Sequence, residues 1–316
     1  MEGEWRVMLE GNEASSHRLA ETAVRFCRVL SIADRLTILY LAFVGVLVVV
    51  RQGHVRYWVA IGLIHAALIA LIAMLAQLQA LQALQARRLP VLEFLRYWYP
   101  TLLFGFFFEE IAFIVHAIFP GWFDHLLIAA DYALFGVNPT VWIEQFSSYW
   151  VTEFMQLAYT TYLPVTIGLG AYLWLKRPRE AFQALIVSTC VAYYIGYVIF
   201  IFFPIESPYH TLAHLQKVEL VGGPFSAAIG WIERYGRVHG GAFPSAHVSG
   251  SVVALICAWR YARRVGFWLT PLVLSICIST VYGRYHYVVD VLAGAITAVI
   301  GCAVGFYLVR RSGKQT

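Results

Sequence analysis

Most of this chain is written in apolar runs of the length that crosses a bilayer, and that restricts what it can fold into. Hydrocarbon offers no partner to an open backbone N–H or C=O, so a span must be a helix of ~20 mostly apolar residues or a closed barrel. The runs cover about 36–50, 57–75, 97–119, 150–175, 182–203, 244–260, 267–282 and 287–309. With 60% hydrophobic and 13% charged residues, the chain lies well outside the soluble globular range. The fold class expected is an all-α, polytopic membrane helical bundle with about eight transmembrane helices. The net charge of +5 is modest and collects at the ends of the runs, which is the pattern of cytoplasmic Lys and Arg rather than of nucleic-acid binding. Cys190, Cys257, Cys277 and Cys302 lie inside apolar runs and Cys27 in the N-terminal arm. They read as free thiols, without disulfide or metal spacing. The first 35 residues are polar and mixed in charge, so no cleavable signal peptide is read there.

Chemistry concentrates between Gly240 and Gly294. His247 and His286 each stand at the mouth of an apolar run, and Asp290 follows the second histidine by four residues. If a helix begins near Tyr285, that spacing places His286 and Asp290 on one face. A carboxylate there holds one imidazole nitrogen and leaves the other outward and more basic. His247 follows Phe243-Pro244-Ser245-Ala246. Proline suits a first helical turn, and Ser245 is placed to cap free N–H groups or to bind an anion at a helix N-terminus.

These residues carry a family resemblance. Pro244-Ser245-Ala246-His247 resembles the PSGH motif of the type 2 phosphatidic acid phosphatase (PAP2) superfamily. The stretch from Ser279 to Asp290 resembles its SRxxxxxHxxxD motif, with serine, histidine and aspartate in register. The resemblance covers roughly residues 97–309. It implies a six-helix catalytic domain over 97–309, preceded by two additional transmembrane helices with a helical extension at 36–96. A cytoplasmic or interfacial arm occupies 1–35 and a tail 310–316. It implies phosphoryl transfer through a phosphohistidine, with His286 as nucleophile, Asp290 orienting it and His247 as acid for the leaving alkoxide. Ser245, Arg284 and Lys217 are the candidate phosphate-binding residues. No cofactor and no metal are implied. The partners implied are a lipid phosphate or phospholipid substrate and the bilayer, with no nucleic acid.

Two departures concern the phosphate-binding cations. The KxxxxxxRP motif is not matched, since residues 217–224 read KVELVGGP, and Thr280 stands where arginine is usual. Arg284 follows Thr280 by one helical turn, so a continuing helix would bring its guanidinium to the same pocket. Lys217, Arg234 and Arg237 are weaker substitutes. His210, His214 and His239 share this loop, with metal binding a minor alternative to solvation. Divergent first motifs occur in relatives that pass a phosphorylated headgroup to another lipid, such as inositol phosphorylceramide and sphingomyelin synthases. A lipid phosphate phosphatase is therefore expected first and a headgroup phosphotransferase second.

Glu109, Glu110 and His116 lie in the third run, where ionisable groups either satisfy one another or mark a path. A lipid transporter using them is the rival from a different class. Glu153, Tyr159 and Tyr162 form part of a polar, aromatic stripe in the fourth run, which either lines a headgroup cavity or bonds between helices. Residues 120–148 break the pattern and read as an interfacial or re-entrant segment. Placing both termini in the cytoplasm puts Lys176, Arg177, Arg179, Arg260, Arg263 and Arg264 inside, against only Arg51 and Arg56. Both motif histidines then face the extracytoplasmic side of an integral membrane protein, of a bacterial inner membrane in this reading.

Overall fold

The computed structural model describes residues 29–84, 89–235 and 238–313. Most of the arm expected at 1–35, with Cys27, Arg87, Arg88, Arg237, Lys314 and the Arg234 side chain, lies outside what is described. Among the described residues helix is the only extended regular structure and there is no strand, as a bilayer-spanning composition requires. In chain order the helices are α1 Ile32–Val50, α2 Trp58–Leu84, α3 Pro90–Ile114, α4 Asp124–Phe135, α5 Pro139–Trp142, α6 Tyr149–Thr160 and α7 Tyr162–Lys176. They continue with α8 Arg179–Phe202, α9 Pro208–Thr211, α10 Pro224–Tyr235, α11 Ala246–Tyr261, α12 Arg263–Tyr282 and α13 Val288–Ser312.

Five of these, α1, α2, α8, α12 and α13, are both long and apolar enough to cross a membrane. The other three expected spans fall short for separate reasons. α3 carries Glu93, Arg96, Glu109 and Glu110, α11 has only 16 residues, and the fourth run is split at Thr161 into α6 and α7. The 120–148 segment is helical over 124–135 and 139–146, and these two stretches are bent by 67° at residues 136–138. Gly136 makes that bend in the left-handed region, at φ 70°, where a side chain is disfavoured.

α8 is the buried axis of the bundle, with almost every residue from Ala181 to Tyr194 inside. α13 lies along it because Gly301 and Gly305 let two backbones meet. A Cβ at Gly301 would stand 2.6 Å from the Ser188 carbonyl oxygen, and one at Gly305 would stand 2.3 Å from Ser188 Oγ. Small residues four apart on one face are how apolar helices gain contact in lipid, where the hydrophobic effect between them is absent. Gly301→Val should therefore cost about 1–3 kcal/mol by overpacking. The check is the melting temperature in detergent, which should fall; no change would mean that the two helices are not so closely packed.

Buried polar pairs join the N-terminal helices to this core. Ser31 and Asp34 form a capping box at the start of α1. Asp34 Oδ1 also accepts from the Arg96 guanidinium and from Tyr99 Oη at 2.8 Å, tying α1 to α3. Glu110 Oε1 lies 2.7 Å from His65 Nε2 on α2, and His65 Nδ1 lies 3.1 Å from the Leu41 carbonyl oxygen on α1. Glu110 is thus engaged in a structural pair. Glu109 faces outward and His116 Nδ1 is 3.0 Å from the Phe119 carbonyl oxygen, so these three do not converge on one path through the bundle.

Candidate active site

The ends of α11, α12 and α13 meet around His247 and His286. α12 stops at Tyr282, and the chain then turns through Gly283 and Arg284, the latter in the left-handed region at φ 65°. The Thr280 carbonyl accepts from both Tyr285 N (3.0 Å) and His286 N (3.1 Å), which fixes this turn. The helix expected from Tyr285 begins only at Val288, so His286 lies before the helix and not on its face. The four-residue spacing still works, by a different geometry. Asp290 is the third residue of α13 and reaches back over the N-terminus. Its Oδ2 accepts from Tyr287 N at 2.9 Å and sits 3.3 Å from His286 Nδ1.

His247 is the second residue of α11. Ser245 caps that helix, its Oγ accepting from Val248 N at 3.3 Å, and its own N–H donates to the Asp290 carbonyl at 3.1 Å. A Cβ at Gly294 would lie 2.6 Å from the Ser245 carbonyl oxygen, so glycine permits α13 to approach this end of α11. Between the histidines, His247 Nδ1 stands 3.3 Å from His286 Nε2. On its other side His247 Nε2 is 2.9 Å from Tyr159 Oη.

The four groups make one chain whose direction is set by the protonation state of Asp290. If Asp290 is ionised it only accepts, and His286 Nδ1 then carries a proton while its Nε2 presents a lone pair. His247 Nδ1–H then donates to that lone pair, leaving His247 Nε2 to accept from the Tyr159 hydroxyl. Both imidazoles are neutral in this arrangement, each with a defined tautomer. Tyr162 and Tyr159 complete an aromatic collar, with ring centres 4.3 and 4.8 Å from His247. Tyr285 packs 4.3 Å from Tyr159, and its hydroxyl donates to Gln156 Oε1 at 2.8 Å.

Two carboxylates from α4 hold the N-terminus of α13. Asp131 accepts from Val288 N and Val289 N, both at 3.0 Å, supplying the acceptors that the first turn of a helix lacks. Asp124 accepts from Tyr287 Oη and Glu206 N, both at 2.9 Å. The residue after His286 is thereby fastened to a separate helix.

The remaining expected site residues are placed elsewhere. Because α12 ends before it, Arg284 is not carried on one helical face with Thr280. Its guanidinium is buried and donates to Glu144 Oε1 at 2.7 Å and to the Val218 carbonyl. Thr280 Oγ1 is turned back onto the Cys277 carbonyl. The Lys217 backbone N–H donates to Glu144 Oε2 at 3.1 Å, and that residue is exposed. Ser245 Oγ serves as the cap just described. Glu153, from the polar stripe, accepts from Gly223 N, Phe225 N and Ser226 N at the start of α10. The sequence reading singled out Tyr159 only within that stripe. It missed Asp124, Asp131 and Glu144, although 124 and 131 are two helical turns apart on one face.

A helical membrane bundle presenting paired histidines and a carboxylate at one end is the class that these observations define. The match to the PAP2 superfamily model covers residues 125–304, more than half of the chain, and the chain belongs to that superfamily. A PA-phosphatase related-family protein of Dictyostelium discoideum is 29% identical over 179 residues, 49% of this chain. The match spans 32% of that relative, about a third of its length. No solved structure matches. Membership suggests phosphatase or related phosphotransferase activity.

Proposed function

We propose that this chain is a membrane-embedded lipid phosphate phosphatase that works through a phosphohistidine on His286. The observation that carries the reading is the chain Tyr159–His247–His286–Asp290, with contacts of 2.9, 3.3 and 3.3 Å. With Asp290 ionised, that chain supports a reading in which His286 Nε2 is the unprotonated nucleophile and His247 the donor beside it.

In this reading a phosphate monoester enters between the imidazoles and displaces their mutual contact. His247 takes up a proton at Nε2 from the entering ester monoanion or solvent, a change the ester's negative charge favours, and that Nε2–H donates to the Tyr159 oxygen. The Nε2 lone pair of His286 attacks phosphorus as the P–O ester bond breaks. The departing alkoxide takes the Nδ1 proton of His247, and Asp290 stabilises the positive charge gained by His286. Neutral His247 next takes a proton from water as that water attacks phosphorus. The P–N bond breaks, releasing inorganic phosphate and restoring His286. Tyr159 acts as a positioning residue, because a hydroxyl can donate to neutral His247 and accept from its cation.

Charge placement supports an extracytoplasmic site with both termini inside. Arg177, Arg260, Arg263 and Arg264 line one cavity of about 460 Å³. Arg260 is near the far end of the helix that His247 begins, and clustered arginines at that end fit the cytoplasmic side.

The test is product analysis with purified protein in detergent and a labelled panel of lipid phosphates and phospholipids. Inorganic phosphate should appear without any added acceptor. A phosphorylated lipid formed only with added diacylglycerol, ceramide or inositol lipid would replace hydrolysis by headgroup transfer.

A further inference from the structure

We propose that Glu206, His210 and His239 form a transition-metal site of the zinc type that clips together the two ends of the loop between α8 and α11. One nitrogen from each imidazole and one carboxylate oxygen lie within 4.8 Å of one another. His239 Nδ1 is 3.2 Å from Glu206 Oε1, and the two imidazoles stack with centres 5.3 Å apart. Zinc–nitrogen and zinc–oxygen bonds of ~2.0–2.2 Å at tetrahedral angles put neighbouring ligand atoms roughly 3.3 Å apart. One pair already has that separation. The third ligand atom lies within the same 4.8 Å, so closing the set around an ion takes a shift of about 1.5 Å at most. Two histidines and a carboxylate suit zinc, and they leave a fourth position for an exchangeable ligand.

The backbone beneath each ligand is already fixed. The Glu206 N–H is held by Asp124, and the His210 N–H donates to the Ser207 carbonyl at 3.2 Å. His239 precedes Gly240, which sits at φ 91° where a Cβ would come 2.1 Å from Val115 Cγ2. Only glycine fits there, so the direction of the chain leaving His239 is set. An Ile205–Gly241 bridge closes the base of the same loop. A metal joining 206 and 210 to 239 would therefore tie off the 211–238 excursion with little further ordering cost. The catalytic proposal uses none of these three side chains, and this inference does not depend on it.

The probe is zinc alone, titrated into the chelator-treated full chain in detergent and followed by calorimetry and bound-metal analysis. Wild type should hold one more equivalent than His210→Ala, His239→Ala or Glu206→Gln, each checked for folding by size-exclusion elution. Zinc should also slow trypsin cleavage after the exposed Lys217 several-fold in wild type and leave the variants unchanged. Equal zinc stoichiometry in wild type and all three variants would overturn the site. Wild-type-specific zinc binding without slower cleavage would overturn the clip.

Discussion

Replacing His286 with alanine is expected to abolish turnover while leaving the bundle folded. The imidazole is the proposed nucleophile, and water at its place would attack phosphorus without the orientation that Asp290 gives. Loss of a residue acting as part of a catalytic unit costs about 10⁴-fold or more in kcat. The fold should survive, because the turn around position 286 is held by backbone bonds to the Thr280 carbonyl and by the Asp131 cap on α13. The measurement is phosphate release by purified, monodisperse His286→Ala. Full activity would end the mechanism.

The second large effect is expected at His247, and its size should depend on the leaving group. Proton donation to a departing alkoxide is worth about 10²–10⁴-fold, so His247→Ala should slow cleavage of an alkyl phosphate by that amount. An aryl phosphate such as p-nitrophenyl phosphate leaves without a proton and should lose far less in kcat/KM. That ratio reports only the steps up to phosphohistidine formation, whereas hydrolysis of the intermediate uses His247 as base for either ester. Tyr159→Phe should show the same pattern in weaker form, by about tenfold, since one hydrogen bond of ~1–1.5 kcal/mol is removed. Equal losses of kcat/KM for the alkyl and aryl esters would argue that His247 serves binding or packing instead.

Much of this arrangement was legible in the sequence, for reasons that also mark where legibility stopped. Apolar runs read as helices because a bilayer allows little else, and the all-α bundle follows. The count of spans was less secure: charges in α3, the shortness of α11 and the break at Thr161 leave five helices long and apolar enough. The spacing of His286 and Asp290 signals their proximity, 3.3 Å in the structure, yet the helix begins two residues after the histidine, and Asp290 reaches back as a cap. A four-residue interval is compatible with either geometry. Arg284 shows the opposite case. Its position suggested a phosphate ligand, but Glu144, 140 residues earlier, takes its guanidinium. The Tyr159–His247 and Asp131–Val288 contacts are likewise tertiary, joining residues 88 and 157 apart, and no local pattern encodes them.

The central claim is a covalent bond between phosphorus and one named nitrogen. Turnover of a labelled lipid phosphate by purified protein can be quenched in base, where phosphohistidine survives, and the digested peptides examined by mass spectrometry. The account predicts phosphate on His286 Nε2 in wild type and none at that position in His286→Ala. Phosphate on a different residue, with His286 unmodified during productive turnover, would contradict it.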